Sequence, residues 1–150
     1  MFITIFKGGD SMNYVLITGA TGGIGYELAK IFALKGYGLI LISSNENRLK
    51  ETKERLRSQF SVPIYIFEQD LTKLGAAQRI YDMVISKQIR ISILVNNAGC
   101  GLVGATEQID LQQDEDMLIM NVINLVELSK LFLRKMFQYG SGKILNVSST

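Results

Sequence analysis

Residues 18–25 read TGATGGIG and directly follow the apolar run Tyr14–Ile17. Glycines let a backbone bend sharply and come close to a ligand, and the first N–H groups of a helix have no partner inside that helix. A strand that ends in such a turn and leads at once into a helix offers those N–H groups to phosphate. The segment therefore predicts a strand, a phosphate-binding turn and a helix, in that order.

Five apolar runs lie along the chain, and the stretches between them have helical periodicity. None of the runs alternates cleanly between polar and apolar residues, which indicates strands buried on both faces, as in a parallel sheet covered by helices. The pattern predicts an α/β fold, a doubly wound (Rossmann) parallel sheet with strand order 3-2-1-4-5, truncated after strand 5. The predicted strands are Tyr14–Thr18, Leu39–Ser43, Ile64–Phe67, Ile93–Asn96 and Ile144–Val147.

Capping residues and apolar spacing predict where the helices lie. Gly36 is predicted to end the first helix, Ser44 and Asn45 to begin the second, and Thr72 to cap the third. The segment 107–138 reads as a single long helix, apolar enough to need cover from the sheet and from a further helix or subunit. The first helix is predicted to bury Ile24, Leu28, Ile31 and Phe32, and the long helix Leu118, Val122, Leu125, Phe132 and Met136.

Composition excludes several kinds of chemistry. The 150-residue chain has no histidine and a single cysteine, Cys100, which leaves no disulfide framework, usual zinc site or histidine-based triad, and no metal site is predicted. The net charge is +2 with both signs interspersed, so neither nucleic acid nor a membrane surface is a predicted partner. No apolar run approaches the roughly 20 residues that span a bilayer, and we expect a cytoplasmic protein. Cys100 is predicted to be a small buried side chain.

Residues 1–11 are predicted to lie outside the folded domain, which then spans residues 12–150. Lys7–Ser11 can be encoded by a purine-rich stretch that reads as a bacterial ribosome-binding site ahead of Met12. Two interpretations stay open: a translated leader before a natural start at Met12, or a short N-terminal arm.

Four motifs at the ends of the predicted strands carry a family resemblance. They are T-G-x-x-x-G-x-G at 18–25, Asp70-Leu71 after the third strand, N-N-A-G at 96–99, and I-L-N-V-S-S at 144–149. In this order and at these intervals, the chain resembles the short-chain dehydrogenase/reductase family from about Met12 to Thr150. The resemblance implies an NAD(P)-dependent oxidoreductase that transfers hydride between its cofactor and a small carbonyl or alcohol.

The resemblance also implies which residues bind the cofactor. The glycine turn would hold the pyrophosphate, and Asp70 would lie beside the adenine. Asp70 has an alternative, purely structural interpretation as a cap for the turn that leads into the third helix. The implied cofactor-binding residues are Gly19, Thr21, Gly22, Gly23, Ile24, Gly25, Ser43, Ser44, Arg48, Asp70, Leu71, Asn97, Ala98 and Gly99.

The position after the second strand favours NADP over NAD. An NAD enzyme normally has Asp or Glu there, which accepts hydrogen bonds from the ribose and repels a 2′-phosphate, whereas this chain has Ser43. Many NADP members of the family carry basic residues at the positions of Ser44 and Gly22, and both are missing here. Arg48, one helical turn further on, could bind the phosphate. NADP is the predicted cofactor, with NAD as the alternative.

The resemblance implies that Ser149 binds the substrate oxygen and that Asn121 completes a proton relay. The family's Tyr-x-x-x-Lys pair would follow Ser149, beyond Thr150. Tyr139 and Lys143 have the right spacing but precede the fifth strand, so we read them as coincidence. We therefore expect the chain alone to be inactive as a carbonyl reductase. A dinucleotide-binding module without turnover, or a domain completed by a second polypeptide, are the alternatives.

The predicted partners are a small-molecule carbonyl or alcohol and, for a complete enzyme, further copies of itself. The fifth strand would lie at the edge of the sheet, with bare N–H and C=O groups. We expect association through that edge and through the helix at 117–138.

Overall fold

The computed structural model describes residues 12–148. The leader-or-arm hypothesis for residues 1–11 and the predicted catalytic Ser149 lie outside the described residues.

Five parallel strands form one sheet in the order β3-β2-β1-β4-β5, which confirms the predicted doubly wound fold. The chain starts at the central strand, builds outward to β3 and then crosses to the other side of β1. The strands are β1 (Tyr14–Thr18), β2 (Gly38–Ser43), β3 (Ile64–Glu68), β4 (Ile91–Asn96) and β5 (Lys143–Asn146). The helices are α1 (Gly23–Leu34), α2 (Glu46–Arg57), α3 (Ala76–Ser86), α4 (Leu111–Leu118) and α5 (Leu125–Gln138), with a 3₁₀ turn at Thr106–Gln108 and a π turn at Ile119–Asn124.

The central strands are buried on both faces, as their uninterrupted apolar runs predict. Successive side chains of a strand point to opposite faces, so Val15 and Ile17 pack with α1 and α2, whereas Leu16 and Ile40 pack with α3 and α5. All four side chains are fully buried. The sheet is therefore the middle of three layers, and its ends remain accessible for a site.

The buried face of α1 differs from the predicted one. Ile24 and Ile31 are 59% and 48% exposed, whereas the buried residues include Gly25, Ala29 and Ala33. The start of the helix lies so close to the glycine turn after β1 that a Cβ built on Gly25 would overlap the carbonyl oxygen of Gly19. Small residues therefore form the part of α1 that packs most closely, Tyr26 is buried beside them, and Leu28 and Phe32 pack partly buried against the core.

The third helix also begins later than predicted. Thr72 does not cap it, because α3 starts at Ala76 after Gly75, which has the left-handed φ of 75°. The backbone N–H and hydroxyl of Thr72 instead donate to Asp70 Oδ1 at 2.9 and 2.8 Å. By contrast, Asn45 caps α2 as predicted, since its side chain accepts from the Arg48 N–H at 2.9 Å.

The predicted long helix at 107–138 is interrupted. Between α4 and α5, at Ile119–Asn124, the backbone hydrogen bonds span five residues instead of four. This π turn rotates the side chains of α4 about the helix axis relative to those of α5. Phe132 and Met136 are buried as predicted, but Leu118 and Val122 are 53% and 51% exposed. Within residues 12–148, no helix combines the length and hydropathy needed to cross a bilayer.

We expect Gly25→Ala to lower the free energy of unfolding by about 1–3 kcal/mol, since the new methyl group would overlap the Gly19 carbonyl group and the Asn97 carboxamide. Gly22→Ala is the matched control, because Gly22 has an extended backbone (φ −174°) and a Cβ at this position would meet no other atom within 4 Å. Urea unfolding followed by circular dichroism measures both. Equal stabilities of the two variants would contradict the close approach of α1 to the glycine turn.

Candidate functional site

Two cavities lie at the carboxyl ends of the strands, beside the point where the strand order reverses. Ligands bind at this place in doubly wound sheets. The larger cavity has a volume of about 630 Å³ and the smaller about 160 Å³, and Ala98 and Gly99 line both. The larger is lined by Ile24, Asn97, Ala98, Gly99, Cys100, Gly101, Asn121, Leu125, Val147 and Ser148, and the smaller by Gly19, Ser43, Ser44, Gln69, Leu71, Ala98, Gly99 and Met120.

A set of hydrogen bonds joins the glycine turn after β1 to the loop after β4. The Thr18 hydroxyl is 2% exposed and accepts from the backbone N–H groups of Asn97 and Ala98, both at 3.0 Å. The Asn97 carboxamide donates in return to the carbonyl oxygens of Thr18 and Gly19, both at 3.1 Å. We call these contacts the Thr18–Asn97 clamp. The clamp holds together the glycine turn and the loop after β4, and residues of both segments line the cavities.

The start of α1 presents free backbone donors beside the clamp. Gly22 is its N-cap and provides no side-chain hydrogen bond to the first turn. Gly23 has φ of 52°, a left-handed conformation that favours glycine, and a Cβ there would have no protein atom within 4 Å. Uncapped N–H groups at the positive end of a helix dipole form an anion-binding site.

Hydroxyl groups line the cleft where β2 ends. Ser43 and Ser44 line the smaller cavity, and the Ser43 hydroxyl lies 3.3 Å from the hydroxyl of Thr21 in the glycine turn. Arg48 lies in the first turn of α2, is exposed, and lines neither cavity. The end of β2 therefore offers neutral donors and acceptors, with a cation on the adjacent helix.

Leu71 forms a wall of the smaller cavity and is 5% exposed. The Asp70 carboxylate beside it is engaged by Thr72, as the structural interpretation of Asp70 requires, and it lines neither cavity. Gln69 and Met120 also line the smaller cavity, and neither was predicted from the sequence. Gln69 directly precedes Asp70 at the carboxyl end of β3, a position that could have marked it as a candidate.

The larger cavity receives Asn121 from the π turn. Its carboxamide pairs with the backbone of Cys100, accepting from the N–H at 3.1 Å and donating to the carbonyl oxygen at 2.7 Å. The prediction that Cys100 is buried is wrong, because Cys100 is exposed and lines the larger cavity. The loop after β4 leaves the sheet at that point, so its residues face the cleft rather than the core.

The acidic and thiol side chains of the described residues do not form a metal site at this edge of the sheet. Among residues 12–148, no three His, Cys, Asp or Glu side chains are grouped so that they could hold a metal ion. The site combines backbone N–H groups, hydroxyls and carboxamides, which suit a ligand with phosphates and hydroxyls, with apolar walls such as those from Leu71, Met120 and Leu125.

Comparisons with known proteins agree with this arrangement. The sequence model of the family described as short chain dehydrogenase matches residues 13–150. The chain is 34% identical over its whole length to 11-beta-hydroxysteroid dehydrogenase 1A of Arabidopsis thaliana, of which it covers 43%. It is 35% identical to sulfoacetaldehyde reductase 2 of Chromohalobacter salexigens, with 90% of this chain and 54% of that protein covered. The chain thus spans about half the length of these relatives.

Solved structures show the same fold. A short-chain dehydrogenase from Sphingobium yanoikuyae in complex with NADPH matches with a TM-score of 0.85 and 32% identity, covering 93% of this chain and 54% of that one. The bulky-bulky ketone specific alcohol dehydrogenase of Comamonas testosteroni matches with a TM-score of 0.84 and 31% identity, covering 91% and 55%. The family model, the glycine turn, the N-N-A-G sequence at 96–99 and the strand order agree, and the chain belongs to the short-chain dehydrogenase family.

Proposed function

We propose that this chain binds NADP(H) and forms the cofactor half of an oxidoreductase that acts on a small carbonyl or alcohol. The main support for the proposal is the Thr18–Asn97 clamp. It lies beside the start of α1, whose first N–H groups have no side-chain cap, and beside the two cavities at the point where the strand order reverses. Membership of an oxidoreductase family supports it, as do relatives whose structures hold NADPH. The cytoplasmic location predicted from the sequence remains part of this proposal.

The residues present fit a dinucleotide in two halves. Gly22, Gly23 and Ile24 would hold the pyrophosphate through their N–H groups at the start of α1. The smaller cavity would take the adenosine half between Ser43 and Leu71. The larger cavity would take the nicotinamide, which when bound accepts or supplies hydride. The proposed ligand-binding residues are Gly19, Thr21, Gly22, Gly23, Ile24, Gly25, Ser43, Ser44, Arg48, Asp70, Leu71, Asn97, Ala98 and Gly99.

We propose NADP rather than NAD as the cofactor. The end of β2 carries hydroxyls at Ser43 and Ser44 where a carboxylate would repel the 2′-phosphate. Arg48 adds a positive charge one helical turn away and is free to turn toward a phosphate, since its side chain is exposed. An L-sorbose reductase from Gluconobacter frateurii, complexed with NADPH and L-sorbose, has the same fold at 27% identity and a TM-score of 0.83.

The chain's own part in catalysis would be to bind and orient. Asn121 lines the larger cavity and keeps the loop at Cys100 in place, and its proposed relay role needs a water that the carboxamide or its backbone can hold. Ser149 is proposed to bind the substrate oxygen. The acid–base step needs the Tyr-x-x-x-Lys pair, so we expect no turnover from this chain alone. A binding module without turnover is the alternative, and it shares the same cofactor site.

We expect the wild-type chain to bind NADPH and Gly23→Val to weaken that binding at least tenfold, since a side chain there occupies the space proposed for the pyrophosphate. Gly36→Val is the control, because Gly36 has φ of 81°, equally open surroundings and a position at the far end of α1. Both variants incur a similar cost for left-handed backbone, about 1–2 kcal/mol. Isothermal titration calorimetry gives the dissociation constants. Equal affinity of the two variants, or no binding by wild type, would contradict the proposed site.

The choice of cofactor gives a second test. We expect Ser43→Asp to weaken NADPH binding about tenfold or more and to spare NADH, because the carboxylate repels the 2′-phosphate. Gly22→Arg should shift the ratio the other way, since an extended, exposed backbone position with no nearby atoms can accept a cation. Fluorescence titrations with NADPH and NADH measure both ratios. An unchanged ratio in both variants would place the adenosine ribose elsewhere.

Self-association is the third part of the proposal. Within the predicted association helix at 117–138, apolar side chains of α5 are exposed, among them Val126 (42%), Leu133 (41%) and Phe137 (72%). We propose that a second copy covers them. Sedimentation velocity should show a concentration-dependent dimer that the double change Leu133→Glu and Phe137→Glu abolishes. Leu34→Glu on α1, which replaces a residue that is 77% exposed on the other side of the sheet, should leave it intact. A monomer at all concentrations would overturn this part.

A further inference from the structure

Asn124 is a fully buried polar side chain in the last position of the π turn. Its Nδ2 donates to the carbonyl oxygens of Leu71 at 2.7 Å and Lys73 at 3.0 Å, and its Oδ1 accepts from the Ala77 N–H at 3.0 Å. Two of the partners, the carbonyl oxygens of Leu71 and Lys73, lie in the loop between β3 and α3, and the third, the N–H of Ala77, lies in the first turn of α3. A single carboxamide therefore fixes both ends of the backbone from residue 71 to residue 77.

That loop forms one wall of the smaller cavity. Leu71 lines it directly, and the segment continues from Asp70, whose carboxylate holds Thr72. Other contacts of the loop are a bond from the Ala76 N–H to the Lys73 carbonyl at 3.2 Å and two pairs with solvent-exposed cations: Arg79 donates to the Leu74 carbonyl at 3.3 Å, and Lys73 lies 3.6 Å from Asp116. Exposed pairs contribute little because solvent screens them, whereas three bonds from a buried carboxamide fix its partners.

The π turn explains how two asparagines so close in sequence serve different loops. In an α-helix, residues three apart project only about 60° from one another, as 3.6 residues make one turn. A π helix has more residues per turn than an α-helix, so three residues fall further short of a full turn. The side chains of Asn121 and Asn124 therefore point in more different directions. Asn121 reaches the loop after β4 at the larger cavity, and Asn124 reaches the loop after β3 at the smaller one.

We propose that Asn124 is a positioning residue for the adenosine half of the cofactor. It acts through the backbone of residues 71–77, which it holds so that Leu71 keeps its place in the cavity wall. The inference rests on the proposed function, since it assigns the smaller cavity to adenosine. It predicts that affinity for an adenosine fragment depends on a side chain that lines neither cavity.

The test uses adenosine 2′,5′-bisphosphate, which carries the adenosine half of NADP without nicotinamide. We expect Asn124→Ala to raise its dissociation constant about tenfold, because the unpaired loop backbone no longer holds one conformation. Phe132→Leu is the matched control: Phe132 is 2% exposed on α5 and packs edge-to-face on Tyr81 of α3, 5.4 Å between ring centroids. This change loosens the same helix pair but keeps the Asn124 carboxamide that bonds the loop, and its dissociation constant should stay within a factor of two of wild type. Calorimetry at a temperature where circular dichroism shows each variant folded gives both values.

A measurement on the wild-type chain covers the case in which Asn124→Ala does not fold. Binding and loop order are linked, so saturation with adenosine 2′,5′-bisphosphate should slow hydrogen exchange at the Ala77 amide at least tenfold. An unchanged exchange rate at Ala77 in the ligand-bound chain overturns the inference.

The outcomes separate the inference from the function on which it rests. If the wild-type chain binds neither NADPH nor adenosine 2′,5′-bisphosphate, the proposed function fails and the role of Asn124 falls with it. If wild type binds both and the Asn124→Ala and Phe132→Leu variants bind the fragment equally, only the positioning role is wrong.

Discussion

The site depends on the Thr18–Asn97 clamp. The hydroxyl of the buried Thr18 accepts hydrogen bonds from two backbone N–H groups of the loop after β4. In return, the Asn97 carboxamide donates to the carbonyl oxygens of Thr18 and Gly19. These backbone groups would otherwise be unpaired at a sheet edge, which costs about 1–3 kcal/mol for each group that is buried. Both cavities are built on the two joined segments, so their relative position follows from this one set of contacts.

Close packing of α1 gives the clamp its setting. Gly25 lets the helix approach the turn until its backbone is adjacent to the Gly19 carbonyl, and Asn97 lies within the same contact. Ala29 and Ala33 continue the close face along the helix. The uncapped N–H groups at the start of α1 are thereby held at the mouth of the cleft, where they can meet an anion.

The π turn connects this site to the rest of the molecule. Asn121 pairs with the backbone at Cys100, and Asn124 pairs with the backbone from Leu71 to Ala77. Both asparagines interrupt an apolar helix, where unpaired polar groups would be costly. Their pairing with two different loops gives a physical reason for a wider turn at this point in the helix.

The strand order and the position of the glycine turn could be predicted from the sequence, whereas the roles of the individual site residues stay predictions. The strand order and the turn follow from local properties: apolar runs predict buried strands, and glycine spacing predicts where a backbone can bend. The buried face of α1 depends on long-range packing and could not be predicted, since Ile24 is exposed and Ala29 is not. The same holds for the exposed Cys100 and for the π turn, because each depends on how closely distant segments pack. Asn124 illustrates the limit: in the sequence it is a polar residue in an apolar helix, and its role appears only with a loop about fifty residues away in the chain.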